Sequence, residues 1–374
     1  MPAQDSIAAG PLNGTRIVEL GAVGPVPFCG MLFADMGAEI LRIGAPVEPP
    51  GPPIPRDKDP MARGRSHLVL DLKNDTDRGR LLAILSRTEI LVEGFRPGTL
   101  EKLGIAPEIC LKANPALVIG RMTGWGQDGP LASAPGHDPN YIAITGALYA
   151  IGHPDRPPYP PLNMIGDYGG GALYLAMGLL AALLHARKTG EGQVIDAAMV
   201  DGAASLMGMA YALHANGLWR DRRGANLLDG GAPFGSTYET ADGKYVVVAA
   251  VEPKFYRALI EGLGLSGEDL PHQMDQAGWP RLRARLAEVF RTRTRDDWAR
   301  LLEGSDACVS PVLDLSEAPH HPHIRARRVF AGDTPFPRAA PRFSKTVTRH
   351  APQDGGPAAA LLQRWGVGTP GDTR

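Results

Sequence analysis

The chain has 374 residues, which is enough for about two domains that each bury a hydrophobic core. Its hydrophobic content of 44% and its charged content of 21% are typical of a globular protein. The formal net charge of −1 argues against a general nucleic-acid-binding protein.

The cysteines, the first ten residues and the most apolar segment bear on the cellular location of the protein. Cys29, Cys110 and Cys308 share no metal-ligand spacing and cannot all pair, so we expect reduced thiols and no metal site. The first ten residues contain neither a basic patch nor an apolar run, so no secretory signal is expected. The apolar stretch 169–184 is shorter than the roughly 20 residues that span a bilayer. The sequence therefore predicts a cytoplasmic protein without a membrane partner.

The first half of the chain alternates short apolar runs with helical segments. Strands are expected at Thr15–Leu20, Ala38–Ile43, Leu68–Leu72, Ile90–Glu93 and Leu117–Gly120. Strands that alternate with helices favour a largely parallel sheet covered on both faces, which is an α/β fold.

After residue 171 the pattern changes. Two long apolar segments, 172–188 and 198–214, predict helices, and Ser236–Val248 predicts a hairpin around an Asp-Gly turn. We expect a large α/β domain over 1–200, a helical linker over 201–220 and a small α+β domain over 221–315. Residues 316–350 are expected to return to the large domain, and 351–374 to form a mobile tail.

Three polar residues stand in unusually specific surroundings. They are His137 in Gly-His-Asp-Pro-Asn-Tyr, Asp167 in Gly-Asp-Tyr-Gly-Gly-Gly and Glu252 in Val-Glu-Pro-Lys-Phe-Tyr. One imidazole and two carboxylates suit the reversible removal of a proton from carbon. Each also has a plain structural alternative: a solvated histidine, a helix N-cap and a glutamate at a helix start, respectively.

Several longer phrases resemble the alpha-methylacyl-CoA racemases of the family III CoA-transferase superfamily. The segments that carry the resemblance are Gly136–Tyr141, Pro161–Gly171, Gly192–Met199, Leu228–Phe234 and Glu252–Tyr256. The resemblance implies a Rossmann-like large domain and a homodimer of two interlocked subunits. It also implies an acyl-CoA thioester as substrate, with coenzyme A carried by the substrate and no separate cofactor.

The resemblance further assigns roles within the site. His137 and Asp167 would be the two bases, and Glu252 would come from the partner subunit and pair with His137. Backbone N–H groups around Asp138 would stabilise the enolate oxygen. Gly136 would allow close approach of the chain, and Tyr141 would belong to the substrate-binding residues.

The phosphates of CoA require cations, and the candidates are Arg63, Arg65, Lys73 and Arg96. The turn 21–27 lacks the full G-x-G-x-x-G pattern, so a nicotinamide cofactor is not supported. The chain departs from the racemase pattern at Gly44-Ala45, where an acid and a base are usual, at Pro139 and at Gly235. Gly235 replaces a common tyrosine, which would admit a bulkier acyl chain if the position lines the acyl pocket.

Three functions remain open at this point. The favoured one is racemisation of 2-methylacyl-CoA thioesters by two-base proton transfer. The main rival is a family III CoA-transferase in which Asp167 is a nucleophile that forms acyl-enzyme anhydrides. The third is an acyl-CoA-binding protein without catalytic activity.

Overall fold

A computed structural model describes residues 10–47, 54–331 and 336–368. The described chain divides into two compact units. The large unit holds the residues up to Ala147, then 161–208 and those from Phe330 onward. The small unit holds 148–160 and 209–329.

The large unit is built on a six-stranded sheet in the order β3-β2-β1-β4-β5-β6, with every neighbouring pair parallel. The strands are β1 Arg16–Leu20, β2 Glu39–Gly44, β3 Arg65–Val69, β4 Ile90–Glu93, β5 Val118–Thr123 and β6 Val194–Ala198. This confirms the predicted parallel α/β fold. The sixth strand, at the sheet edge, was missed, because its five residues include an aspartate and two alanines and look like the start of a helix.

The helices of the chain follow in order. They are α1 Pro25–Asp35, α2 Asp75–Leu85, α3 Thr99–Lys102, α4 Pro107–Ala113, α5 Asp138–Ala143, α6 Ala147–Ala150, a π-helix Met164–Ala172, α7 Leu173–Thr189, α8 Met199–Leu206, α9 Gly208–Ala215, α10 Pro253–Gly262, α11 Trp279–Phe290, α12 Arg295–Leu302, α13 Pro322–Ala326 and α14 Ala358–Arg364.

Helices cover both faces of the parallel sheet. Along β1, Ile17 points into a core that contains Phe33 of α1 and Leu179 of α7. The next residue, Val18, points into the opposite core, which contains Leu81 of α2. Successive strand residues face opposite sides of a sheet, so a strand buried on both faces is mostly apolar, and the one buried carboxylate of β1, Glu19, is paired with Arg65.

The C-terminal helix α14 completes the second of these cores. Leu361, Leu362 and Trp365 are all buried there, and the indole Nε1 of Trp365 donates to Glu39 Oε2 at 2.7 Å. The prediction of a mobile tail from 351 is therefore wrong up to residue 368. The composition, rich in Gly, Pro and Ala, concealed a short helix with a strongly apolar face. Residues 369–374 of that predicted tail lie outside the described residues.

The small unit has a three-stranded antiparallel sheet, β7 Gly235–Glu239, β8 Tyr245–Ala249 and β9 Val309–Val312. The first two strands form the predicted hairpin. Phe234, Tyr238 and Phe290 are buried between this sheet and the helices, with stacked rings for Tyr238 and Phe290.

The small unit is larger than the predicted domain 221–315. It includes 148–160, because the Arg223 guanidinium donates to the carbonyl oxygens of Tyr149, His153 and Arg156. The predicted linker 201–220 is divided, since α8 belongs to the large unit and most of α9 to the small one. The return to the large unit falls at Phe330 instead of residue 316.

One helical stretch among the described residues, Met164–Thr189, is long and apolar enough to cross a bilayer. Half of its most apolar window is buried inside the protein. The core helix of a soluble protein meets the same criteria, so this is weak evidence for a membrane segment.

Candidate active site

A cleft of about 590 Å³ opens at the carboxyl ends of the first four strands. Its walls include the turn after β1, the end of β2, the segment after β3 and the turn after β4. These wall residues include Gly21, Gly24, Arg42, Ala45, Leu70, Lys73, Gly94 and Phe95. The order 3-2-1-4-5-6 reverses direction next to β1, and open parallel sheets bind ligands at such a switch point.

Asp167 lies in the π-helix that runs directly into α7. Short π-helical turns are rare and occur frequently at functional sites. The carboxylate is half-buried, and Asn163 Nδ2 donates to its Oδ2 at 3.1 Å. Burial raises the pKa of Asp167; the Asn163 hydrogen bond lowers this pKa, the Asp138 charge raises it and His137 lowers it.

Asp167 lies beside Gly24, which is a residue of the cleft wall. This glycine lines the cleft and has a φ of +71°, and a Cβ atom built on it would lie 3.1 Å from Asp167 Oδ2. The turn after β1 therefore needs glycine here both for its conformation and for the close approach of the carboxylate.

His137 immediately precedes α5, with extended backbone, and its side chain is exposed. Its backbone N–H donates to Asn140 Oδ1 at 3.0 Å, which holds the entry to the helix. Its charge lowers the pKa of Asp167, so the two predicted bases lie near each other in the large unit.

Asp138 links the segments that carry the two bases. Its side chain is 2% exposed, and its Oδ2 accepts the backbone N–H of Asp167 at 2.7 Å. The backbone N–H of Asp138 itself, in the first turn of α5, has no acceptor within the described part of the chain. Free N–H groups at a helix start suit a developing negative charge, as predicted for the enolate oxygen.

Gly136 and Tyr141 form a structural pair. The Tyr141 hydroxyl donates to the carbonyl oxygen of Gly136, and its ring packs edge-on against Trp125 at 4.7 Å. A Cβ atom on Gly136 would lie 2.7 Å from the Tyr141 ring, so the close approach is to this ring. The substrate-binding role predicted for Tyr141 is replaced by support of the His137 loop, because its ring is buried and its hydroxyl is used.

Arg63 and Arg65 have no phosphate-binding geometry. Arg65 is 0% exposed, and its N–H groups donate to Glu19 Oε2 and to the carbonyl oxygens of Pro27, Met61 and Arg63. Arg63 is 3% exposed and forms a two-point ion pair with Asp35. The predicted role of both is corrected to a structural one, because an arginine in a loop sequence looks the same whether it is buried or free.

Lys73 and Arg96 remain available for phosphates. Lys73 is exposed and lines the cleft, and Arg96 is exposed in the turn after β4. The charge of Arg96 lowers the pKa of Tyr141, so this cation lies close to the His137 loop.

Arg42 is a third cation, which the sequence analysis missed. It lines the cleft beside Ala45, and its NH1 lies 3.6 Å from Glu19 Oε1, while its buried Nε has no hydrogen-bond partner among the described residues. The sequence contained an indication of this role, since Arg42 is a charged residue among the apolar residues Ile40, Leu41 and Ile43, just before the departure at Gly44-Ala45.

Glu252 lies in the small unit, exposed, at the N-cap of α10. Its charge raises the pKa of the nearby Cys308 thiol, after the larger effect of burial. Within the large unit the structure thus brings together His137, Asp138 and Asp167. Among the described residues, no group of three or more His, Cys, Asp or Glu side chains is arranged to hold a metal ion.

A sequence model of CoA-transferase family III matches residues 12–357, and the chain belongs to this family. It is 44% identical to the alpha-methylacyl-CoA racemase of Mus musculus over 338 residues, which cover 90% of this chain and 87% of the relative. The human alpha-methylacyl-CoA racemase is 43% identical with the same coverage.

Solved structures share the fold. A CAIB/BAIF family protein from Brucella suis superposes with a TM-score of 0.79 at 24% identity, covering 96% of this chain and all of that one. Rv3272 from Mycobacterium tuberculosis superposes with a TM-score of 0.75 at 25% identity, covering 93% and 98%.

Proposed function

We propose that this protein is a 2-methylacyl-CoA racemase, which interconverts the 2R and 2S thioesters by two-base proton transfer. The observation that carries the proposal is that His137 and Asp167 lie near each other, with Asp167 beside Gly24 of the cleft wall, in a chain 43–44% identical to alpha-methylacyl-CoA racemases. Inversion at a carbon requires a proton acceptor on one face and a proton donor on the other.

In each turnover, one residue of this pair accepts a proton and the other donates one. Neutral His137 removes the α-proton while protonated Asp167 delivers a proton to the opposite face, which leaves imidazolium and carboxylate. The other enantiomer starts from that second state. The raised pKa of Asp167 supports its use as an acid, and each base is worth on the order of 10²–10⁴-fold in rate. The reaction is redox-neutral, and coenzyme A is part of the substrate.

The enolate formed between the two steps needs donors for its oxygen. The unpaired backbone N–H of Asp138 adjoins His137 and is fixed in place by the buried side chain of the same residue. A donor that is already oriented stabilises a developing charge without reorganisation.

We assign the nucleotide portion of CoA to the cleft at the strand ends. Lys73 and Arg42 line the cleft, and Arg96 lies close to the His137 loop. Their positive charges complement the phosphates, while the neighbouring apolar residues suit an adenine ring.

We also propose a homodimer in which Glu252 of the partner subunit pairs with His137. Supporting this, large apolar side chains are exposed along residues 162–184 of the large unit. They are Leu162, Met164, Leu173, Met177 and Leu184. A row of exposed apolar side chains is typical of an interface. Light scattering would give twice the mass of the chain; a monomer that racemises its substrate would exclude a site shared between subunits.

We place the enzyme in the cytoplasm, because its three cysteines are free thiols, which reducing compartments maintain. Fractionation of the source cells, with an antibody against the protein, tests this.

The direct test is incubation with a single 2R-methylacyl-CoA in D₂O, with the α-proton followed by NMR. Deuterium at C2 together with the 2S ester supports racemisation. The second candidate is CoA transfer, which is favoured by relatives named CoA-transferases at 28–29% identity. No exchange at C2, with CoA passing to an added carboxylic acid, would establish that activity and make Asp167 a nucleophile.

A further inference from the structure

We infer that the side chain of Asp138 is a positioning residue, which anchors the backbone of Asp167 to the segment that carries His137 and holds a carboxylate beside that base. The inference rests on the two-base function proposed above and extends it. It assigns a separate role to a residue whose backbone N–H alone was expected to take part.

The anchoring follows from the contacts. Asp138 Oδ2 accepts the backbone N–H of Asp167 at 2.7 Å from a side chain that is 2% exposed. Asp138 is the neighbour of His137 in sequence and the first residue of α5. A single hydrogen bond therefore joins the segment that carries one base to the backbone of the other.

Gly166, the residue before Asp167, leaves room for this hydrogen bond. A Cβ atom on Gly166 would lie 2.6 Å from Asp138 Oδ2 and 3.2 Å from its Cα. Any side chain at 166 would push the two segments apart. The contact thus depends on glycine at 166 as well as on the acid at 138.

The charge has a role beyond the hydrogen bond. The second oxygen, Oδ1, is buried without a hydrogen-bond partner among the described residues. An amide would accept the same N–H without placing a charge in a buried position, and burying a charge that is not fully hydrogen-bonded is unfavourable. The consequence of the charge is electrostatic, since it raises the pKa of the adjacent Asp167.

Other groups around Asp167 oppose or accompany this effect. His137 and the hydrogen bond from Asn163 lower its pKa, and burial raises it. The neighbouring Tyr141 hydroxyl interacts with Asp167 and with Arg96, and its own pKa is raised mainly by burial. Removal of the Asp138 charge leaves the lowering groups in place. The pKa of Asp167 must then fall.

The experiment compares Asp138→Asn with Asp138→Ala. Deuterium exchange at C2 is measured from each enantiomer as a function of pH, and Asp167→Asn identifies the direction in which Asp167 removes the proton. In Asp138→Asn the anchor remains, so kcat at the optimum should stay within about tenfold. The acidic limb in that direction should move to lower pH, because ionised Asp167 persists to lower pH. In Asp138→Ala the anchor is also lost, and kcat should fall roughly 10²-fold with little change in KM.

A matched control is Asp35→Asn, which alters an equally buried carboxylate of the same unit that pairs with Arg63. It should lower the melting temperature without moving the pH limb. A second readout is independent of turnover. The Asp167 carboxyl resonance, in protein labelled with ¹³C-carboxyl aspartate and assigned by its loss in Asp167→Asn, should titrate at lower pH in Asp138→Asn than in the wild type.

The outcomes separate the two proposals. No exchange at C2 by the wild type refutes the racemase function, whereas the ¹³C titration still decides whether the Asp138 charge raises the pKa of Asp167. An unmoved titration and an unmoved pH limb in folded Asp138→Asn refute the electrostatic role. A kcat in folded Asp138→Ala equal to that of Asp138→Asn refutes the anchor.

Discussion

Replacement of Arg65 by methionine tests whether this arginine supports the fold or binds substrate. Met is similar in length but cannot donate, so Arg65→Met removes the whole set of hydrogen bonds to Glu19, Pro27, Met61 and Arg63. Glu19 is 1% exposed, and among the described residues its Oε1 has no hydrogen-bond partner and lies 3.6 Å from Arg42 NH1. Removal of one partner of a buried ion pair destabilises by about 3–5 kcal/mol. We therefore expect this loss in the free energy of unfolding, measured by urea denaturation.

The double variant Glu19→Gln/Arg65→Met should recover part of that loss, because no uncompensated carboxylate remains. The control is Lys73→Ala, which removes an exposed cation from the cleft. It should leave stability within about 0.5 kcal/mol and weaken CoA binding, measured by calorimetry, by roughly tenfold or more. The reasoning is refuted if Arg65→Met unfolds at the wild-type urea concentration and instead weakens CoA binding.

Further outcomes are expected elsewhere in the large unit. Trp365→Ala should lower the free energy of unfolding by about 3–5 kcal/mol in urea, and a loss below about 1 kcal/mol would mean that the C-terminal helix is not part of the core. Gly24→Ala places a methyl group 3.1 Å from Asp167 Oδ2 at a φ of +71°, so kcat should fall about tenfold or more in protein with a native circular dichroism spectrum; unchanged turnover would separate this turn from the site. His137→Ala should slow exchange from one enantiomer by about 10²-fold or more while acyl-CoA binding persists, and equal rates from both enantiomers would remove it from the mechanism. Arg96→Ala should raise KM by a similar factor for every acyl chain; an effect confined to one chain would contradict a contact with CoA.

The sequence predicted the parallel sheet, and it singled out His137 and Asp167, whose segments the structure brings together. Strand positions can be predicted because strands buried on both faces, such as β1 and β4, are mostly apolar runs between turns. His137 and Asp167 could be recognised as candidate site residues because each lies in a distinctive local sequence that contains glycine or proline. The sequence did not show that Asp138 joins these two segments, because a hydrogen bond between residues 29 positions apart leaves no local pattern.

The burial of the arginines could not be predicted from the local sequence either. Arg63 and Arg65 occupy a segment rich in polar residues, which predicts exposure, yet both are buried by acids that lie 28 and 46 residues away. Arg42 lies between Leu41 and Ile43 in a largely apolar strand, which predicts burial, yet it lines the cleft. Burial of a charge depends on a distant partner, and a sequence read locally does not show which partner it has.

The path of the chain through the large unit has a consequence for synthesis. Residues 209–329 of the small unit leave the ribosome before the segment 355–368, which contributes Trp365 to the core beneath β1 and β2. Domains generally fold as units during synthesis, so the small unit is able to form while one face of the parallel sheet still lacks its last helix. Until that helix arrives, apolar residues of this face, among them Val18 and Leu41, have an incomplete cover. The nascent chain is thus prone to aggregate until residues 355–368 have left the ribosome, and chaperone binding should persist until then.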